Sequence, residues 1–137
     1  MSTDTTTPES TTETLTPEIM ATVIDTYLEA YGEADPTKRI ALVRQAWSVD
    51  GRLQDPPLEA DGHDGIAALT DVLHAHFAGH TFRRTSGVDA HHGMARYGWE
   101  LVGPDGAVAL AGMDVAEFTA DGKLAKVTGF FGDVPAV

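Results

Sequence analysis

The sequence has no cysteine. Disulfide staples, thiolate nucleophiles and zinc–thiolate centres are therefore excluded. Basic residues are scarce: nine Lys and Arg stand against 21 Asp and Glu, a formal charge of −12. A surface this acidic repels nucleic acid and anionic lipid, so neither is an expected partner. No apolar run approaches the ~20 residues that span a membrane. The first residues lack the basic and apolar segments of a secretory signal, and the expected location is the cytoplasm. What is present is ordinary. A chain of 137 residues, 42% hydrophobic, makes one domain that buries about two-thirds of its unfolded surface without staples.

Residues 1–15 are mostly Thr, Ser, Glu and Pro. They carry too little apolar surface to offset ordering entropy and read as a disordered tail ahead of a domain over 16–137. In "TPEIMATVIDTYLEAYGEAD", Thr16 suits an N-cap and Pro17 the first helical position. Met20, Val23, Ile24, Tyr27 and Tyr31 form one apolar stripe. Asp35 and Pro36 open a second helix whose inner face is Ile40, Val43 and Trp47. Gly51 ends that region. "GRLQD" then reads as a short strand stopped by Pro56 and Pro57. A third helix runs from about His63 to Phe77 on Ile66, Leu69, Leu73 and Phe77, with Gly79 as its stop. Beyond it lie only strand signals. "HTFRRTSGVDA", "MARYGWELV", the segment from Val108 to Phe118, and "LAKVTGFF" are separated by the turns "HHG", "GPDG" and "TADG". Helices first and an antiparallel meander second give an α+β, cone-shaped fold: three N-terminal helices packed on a curved, mainly antiparallel sheet.

The strand "VALAGMDVAEF" raises a chemical question. Alternation puts Asp114 on the face of Val108, Leu110 and Phe118. A carboxylate there is costly unless it is paired, hydrogen-bonded or protonated. The opposite face, with Ala109, Ala111, Met113 and Val115, is also small and apolar. One face can pack on the helices and the other on a second copy, so a homodimer through the sheet is expected. The alternative for that face is mildly apolar surface. Tyr27 points inward by its stripe, and Asp55 sits where the rigid Pro-Pro can hold it at a pocket edge. Two carboxyls in different environments supply an acid and a base. Each residue also has a plainer reading: Tyr27 as core, Asp55 as turn chemistry, Asp114 paired with Arg96 or facing solvent. Tyr97 and Trp99 share a strand face that lines either the pocket or the dimer contact.

The element order and the stretches "GRLQDP", "EADGHDGIAAL" and "VTGFFGD" resemble the nuclear-transport-factor-2-like superfamily. That superfamily includes the SnoaL-like polyketide cyclases and the ketosteroid isomerases. "YLEAY" at Tyr27, "LQDP" at Asp55 and "MDVAEF" at Asp114 are similar to the isomerases' catalytic contexts. The resemblance implies Asp55 as the base that moves a proton alpha to a carbonyl. It implies Tyr27 and a protonated Asp114 as donors to the developing enolate oxygen. The isomerases support their tyrosine with others on the second and third helices. Here Trp47 and Val72 or Leu73 stand near those places. Other relatives open epoxides with an Asp–Arg–Asp set, to which Arg96 and Asp114 would contribute.

The expected function is cofactor-independent acid–base chemistry, of isomerase or cyclase type, on a small apolar carbonyl or polyketide-like molecule. The expected walls are Trp47, Phe77, Phe82, Trp99, Phe118 and Phe130. A non-catalytic ligand-binding or dimerisation domain and an epoxide hydrolase are the alternatives. No metal is expected. His74 and His76 lie about 200° apart on a helix, and His91 and His92 alternate across a strand end. His76 is the one histidine near the inner stripe that would serve as a pocket acid–base group.

Overall fold

Capped, proline-led turns start the first two helices. In the computed structural model, which describes residues 15–137, α1 runs over Pro17–Gly32 and α2 over Pro36–Ala46. Thr16 accepts a hydrogen bond from the Ile19 N–H, and Asp35 accepts one from the Thr37 N–H. Each satisfies a helix N–H that has no intrahelical partner, and the proline beside it gives up no bond. Apart from Leu15, the expected tail lies outside the described residues. α3 covers Gly62–His76, and the chain leaves it through Gly79 at φ 76°, a backbone region that favours glycine. None of these helices is long and apolar enough to cross a membrane.

The strands are β1 (Trp47–Asp55), β2 (Leu58–Asp61), β3 (Thr81–Arg84), β4 (Asp89–His91), β5 (Met94–Val102), β6 (Val108–Phe118) and β7 (Leu124–Phe131). They form one sheet in the order β2-β1-β7-β6-β5-β3, with β4 also on β5. Only the β1–β7 pairing is parallel. Three helices thus pack on a curved, mostly antiparallel, unclosed sheet. Ile24, Val43, Leu53, Ile66, Leu124 and Val127 are wholly enclosed between the layers, each contributing about 1.5–3 kcal/mol of burial. Buried Arg39 ties the α1–α2 link to α3. Its Nε donates to Asp71 Oδ1 at 2.9 Å, and Nη1 donates to the Glu33 carbonyl at 2.6 Å.

Several local readings of the sequence need correction. Trp47 is not on the α2 face: α2 ends at Ala46, and Trp47 opens β1. The strand therefore begins four residues before Gly51. Gly51 lies inside it, at a register shift, where a Cβ would collide with the Trp47 ring. The strand β2 was not expected. Pro56 and Pro57 turn the chain back so that Leu58 pairs with Asp55. "HTFRRTSGVDA" is two strands rather than one, because Ser86 and Gly87 break the pairing. The Thr85 N–H still reaches the Gly98 carbonyl, and Ser86 Oγ accepts from the Gly98 N–H. Val108 is exposed despite its phase, because the β5–β6 register shifts at Val102. His91 and His92 do not point apart. His92 has φ 51°, and the two Nδ1 atoms are 3.0 Å apart.

Candidate active site

The inner face of β6 carries Leu110, Asp114, Ala116 and Phe118 in alternation, and Asp114 is only 4% exposed. Its neighbours explain how it is tolerated there. Tyr97 on β5 is directly opposite, and its hydroxyl donates to Asp114 Oδ2 at 2.7 Å. Trp99, two residues along the same face, donates its indole N–H to Oδ1 at 2.8 Å. On the other side Asp114 is opposite Gly129 of β7. A Cβ at Gly129 would overlap Asp55 Oδ1 and lie 2.9 Å from Asp114 Oδ1. The two carboxyl oxygens therefore converge over one glycine, no more than about 5 Å apart. β1 delivers Asp55 to this point through its parallel pairing with β7. Among the described residues no side chain or backbone group hydrogen-bonds the Asp55 carboxyl.

Helix α1 roofs the pair. Tyr27 and Tyr31, one turn apart, are both buried with their hydroxyls 2.8 Å from each other. One O–H proton lies between the two oxygens, and the second is free to donate into the hollow. The hollow holds about 50 Å3 and is lined by these tyrosines, both aspartates, Leu28, Leu58, Leu73, Phe77, Phe82, Trp99, Leu101, Leu110 and Phe131. Pockets for drug-sized ligands run to ~300–1,000 Å3, so this one suits a far smaller occupant. Among the described residues no Lys, Arg or His lines it, which leaves a phosphate-bearing cofactor without a cationic anchor there. Among the described residues no three His, Asp or Glu side chains cluster as metal ligands would.

Burial sets the protonation states. It pushes Asp114 up to about 7, with the Asp55 charge adding to the shift. The Tyr97 and Trp99 hydrogen bonds oppose it, because they favour the ionised form. Burial alone pushes Asp55 up to about 6. Tyr27, Tyr31 and Tyr97 are all raised well above the ordinary tyrosine value, chiefly by burial, and stay protonated at neutral pH. At neutrality the pair thus offers a mostly ionised Asp55 beside an Asp114 near half-protonation, titrating together.

The structure brings Tyr27, Asp55 and Asp114 around one hollow, with Phe77, Phe82 and Trp99 in its wall. It does not place Trp47, Phe118 or Phe130 there. Trp47 is sealed in the core beneath Tyr27, ring centroids 5.3 Å apart, with its indole N–H unpartnered. Phe118 packs at the core's edge beside Leu124. Phe130 is 55% exposed on the outer face, and its neighbour Phe131 takes the wall position. His76 is exposed and outside the hollow. Arg96 pairs with Asp89 at 2.8 Å on the outer face, so no Asp–Arg–Asp set forms around Asp114. Tyr31 and Gly129 also belong to the site. The first was visible in the α1 stripe, the second as a glycine inside a strand, which marks a close approach.

No family model matches the sequence, and no curated protein matches it. Solved structures do. A candidate isomerase of the SnoaL-like family from Agrobacterium tumefaciens strain C58 is 34% identical with a TM-score of 0.79, the match covering 85% of this chain and 99% of that one. An NTF2-like protein of unknown function from Exiguobacterium sp. 255-15 is 18% identical with a TM-score of 0.65, covering 82% and 99%. A candidate SnoaL-like polyketide cyclase from Jannaschia sp. CCS1 is 14% identical with a TM-score of 0.67, covering 83% and 85%. The last two share the fold.

Proposed function

The chain belongs to the SnoaL-like family, and from that premise we propose that the Asp55–Asp114 hollow is an acid–base active site for a small, largely apolar carbonyl compound. The convergence of buried Asp114 and half-buried Asp55 on Gly129, under a tyrosine pair with a spare O–H, carries this reading. Ionised Asp55 removes a proton from the carbon alpha to the carbonyl, and the electron pair moves onto the carbonyl oxygen. The free proton of the Tyr27–Tyr31 pair, and Asp114 when protonated, hydrogen-bond that developing enolate oxygen. In a β,γ-unsaturated carbonyl compound Asp55 then returns its proton to the gamma carbon as the carbonyl re-forms, which shifts the double bond, an isomerisation. Alternatively the enolate carbon attacks a second carbonyl in the same molecule: the first carbonyl re-forms, the second becomes an alkoxide, and Asp55 returns its proton to that oxygen, a cyclisation. Nothing is oxidised or reduced overall, so the reaction asks for no redox cofactor.

The test is exchange of alpha protons in deuterated buffer, followed by NMR over a panel of small ketones. Wild type is expected to exchange faster than Asp55→Asn by about 10²-fold or more. Equal rates in the two proteins would reject Asp55 as base. The small volume, about 50 Å3, favours a second reading, a non-catalytic binding domain. That reading gains if ligands bind and no ketone exchanges. We also propose that a second copy covers the outer sheet face around Ala109, Ala111, Met113 and Phe130, several of which are exposed. Sedimentation equilibrium of wild type and Met113→Glu checks it, with a dimer expected only for wild type.

A further inference from the structure

The lining of the hollow has an unusual charge balance. Its rings run in a continuous arc: Tyr27 to Tyr31 at 5.3 Å between centroids, Tyr31 to Phe82 at 4.7 Å, Phe82 to Trp99 at 5.4 Å and Trp99 to Phe131 at 5.8 Å. Among the described residues its only charged side chains are Asp55 and Asp114. Both Asp114 oxygens already accept hydrogen bonds from Tyr97 and Trp99. Asp55 accepts none among the described residues. A half-buried carboxylate without a counter-charge is costly, and no side chain in the wall supplies one. Aromatic rings present negative π-faces, and a ring-lined site next to an acid is the chemistry that recognises ammonium ions. The chain's charge of −12 draws cations toward it and repels anions.

We infer that this hollow binds a small organic ammonium ion, seated on the Asp55 carboxyl within the aromatic arc. The inference shares its site with the acid–base reading but needs no turnover. A bound ion occupies the base, so it competes with a carbonyl substrate. The volume limits the ion to a few non-hydrogen atoms. Binding strengthens as Asp55 ionises, across its value of about 6. The groups facing it are Tyr27 and Tyr31 from α1, Tyr97 from β5 and Asp114 from β6. Only Asp114 among them also ionises in that range, and its charge acts in the same direction. β7 presents Gly129, α3 presents Leu73, and Phe77 follows at that helix's C-terminal cap.

The experiment is an NMR titration of the full chain with tetramethylammonium, tert-butanol or pivalate in physiological salt, reading the Gly129 amide and the Trp99 indole N–H. These probes are of similar size and differ in charge. Tetramethylammonium is expected to bind about tenfold more tightly than tert-butanol, with pivalate weakest. Asp55→Asn is expected to remove that preference. In wild type, affinity for the ion is expected to rise about threefold or more between about pH 5 and pH 7.5. Should Asp55→Asn fail to fold, the wild-type pH series decides. Equal binding of the ion and the alcohol, or no shift at Gly129 and Trp99 with the ion at about 100 mM, overturns the inference. Proton exchange is assayed separately. Ion binding without exchange sinks only the acid–base reading, and exchange without ion binding sinks only this one.

Discussion

Replacing Asp114 by Asn separates the energetic role of this acid from its geometric one. Asn keeps the shape: its carbonyl accepts from the Trp99 indole, and its amide faces the Tyr97 hydroxyl. What it removes is the ionisation. In the folded chain Asp114 titrates at about 7, against an ordinary value of 3.8. Above 3.8 the unfolded chain therefore releases this proton while the folded chain holds it, so the unfolded state is favoured as pH rises. The destabilisation begins near pH 4, grows until about pH 7 and is constant above that. Between pH 5 and pH 8 the two values correspond to a loss of about 2.5 kcal/mol. In urea that is a fall in midpoint of about 1–2 M. Asp114→Asn is expected to lose most of that fall and to be more stable than wild type at pH 8. General repulsion among the acidic residues affects both proteins alike, so the difference between them isolates position 114. If the midpoints of the two proteins run parallel across this range, Asp114 ionises as freely in the fold as outside it. The picture of a dry carboxyl is then wrong.

Gly129→Ala places a methyl group into both carboxyls; a thermal melt is expected to show a loss of about 1–3 kcal/mol, with proton exchange lost as well. Tyr31→Phe removes the 2.8 Å hydroxyl pair. It is expected to cost about 1 kcal/mol of stability in urea. Arg39→Ala leaves the Glu33 and Ala34 carbonyls without their donor, and a fall of about 1–3 kcal/mol is expected in the urea midpoint analysis, with no change in ligand shifts at Gly129.

The sequence carried most of the fold because its punctuation is strong. Thr16-Pro17 and Asp35-Pro36 mark helix starts, and "HHG", "GPDG" and "TADG" mark strand ends. Alternation groups Asp114 with Leu110 and Phe118, because β6 is regular around it, but both faces of that strand are small and apolar, so alternation alone leaves open which of them meets the helices. Trp47 was misplaced for a physical reason: it follows Val43 at helical spacing, and no Gly or Pro separates α2 from β1. The strand β2 was hidden because two prolines end one strand and turn directly into the next. Phe130 and Phe131 are adjacent in "GFF", and the choice of which faces inward belongs to the sheet register, which links β7 to both β1 and β6. Tyr31 was on the expected stripe, but its hydrogen bond to Tyr27 is a matter of rotamers. The partners of Asp114 could not be chosen in advance, since Arg96 and Tyr97 differ only in the face that β5 turns toward the helices.

The parallel pairing of β1 with β7 has a consequence for how the protein is made. Asp55 is synthesised early, yet the glycine it rests against arrives only with the final strand, after α3 and the whole meander have intervened. The sheet's middle cannot be zipped until that segment leaves the ribosome, and such distant pairings form slowly. A nascent chain halted before β7 would hold its first acid in water, ordinary and inert. The hollow has no floor until that last strand is in place.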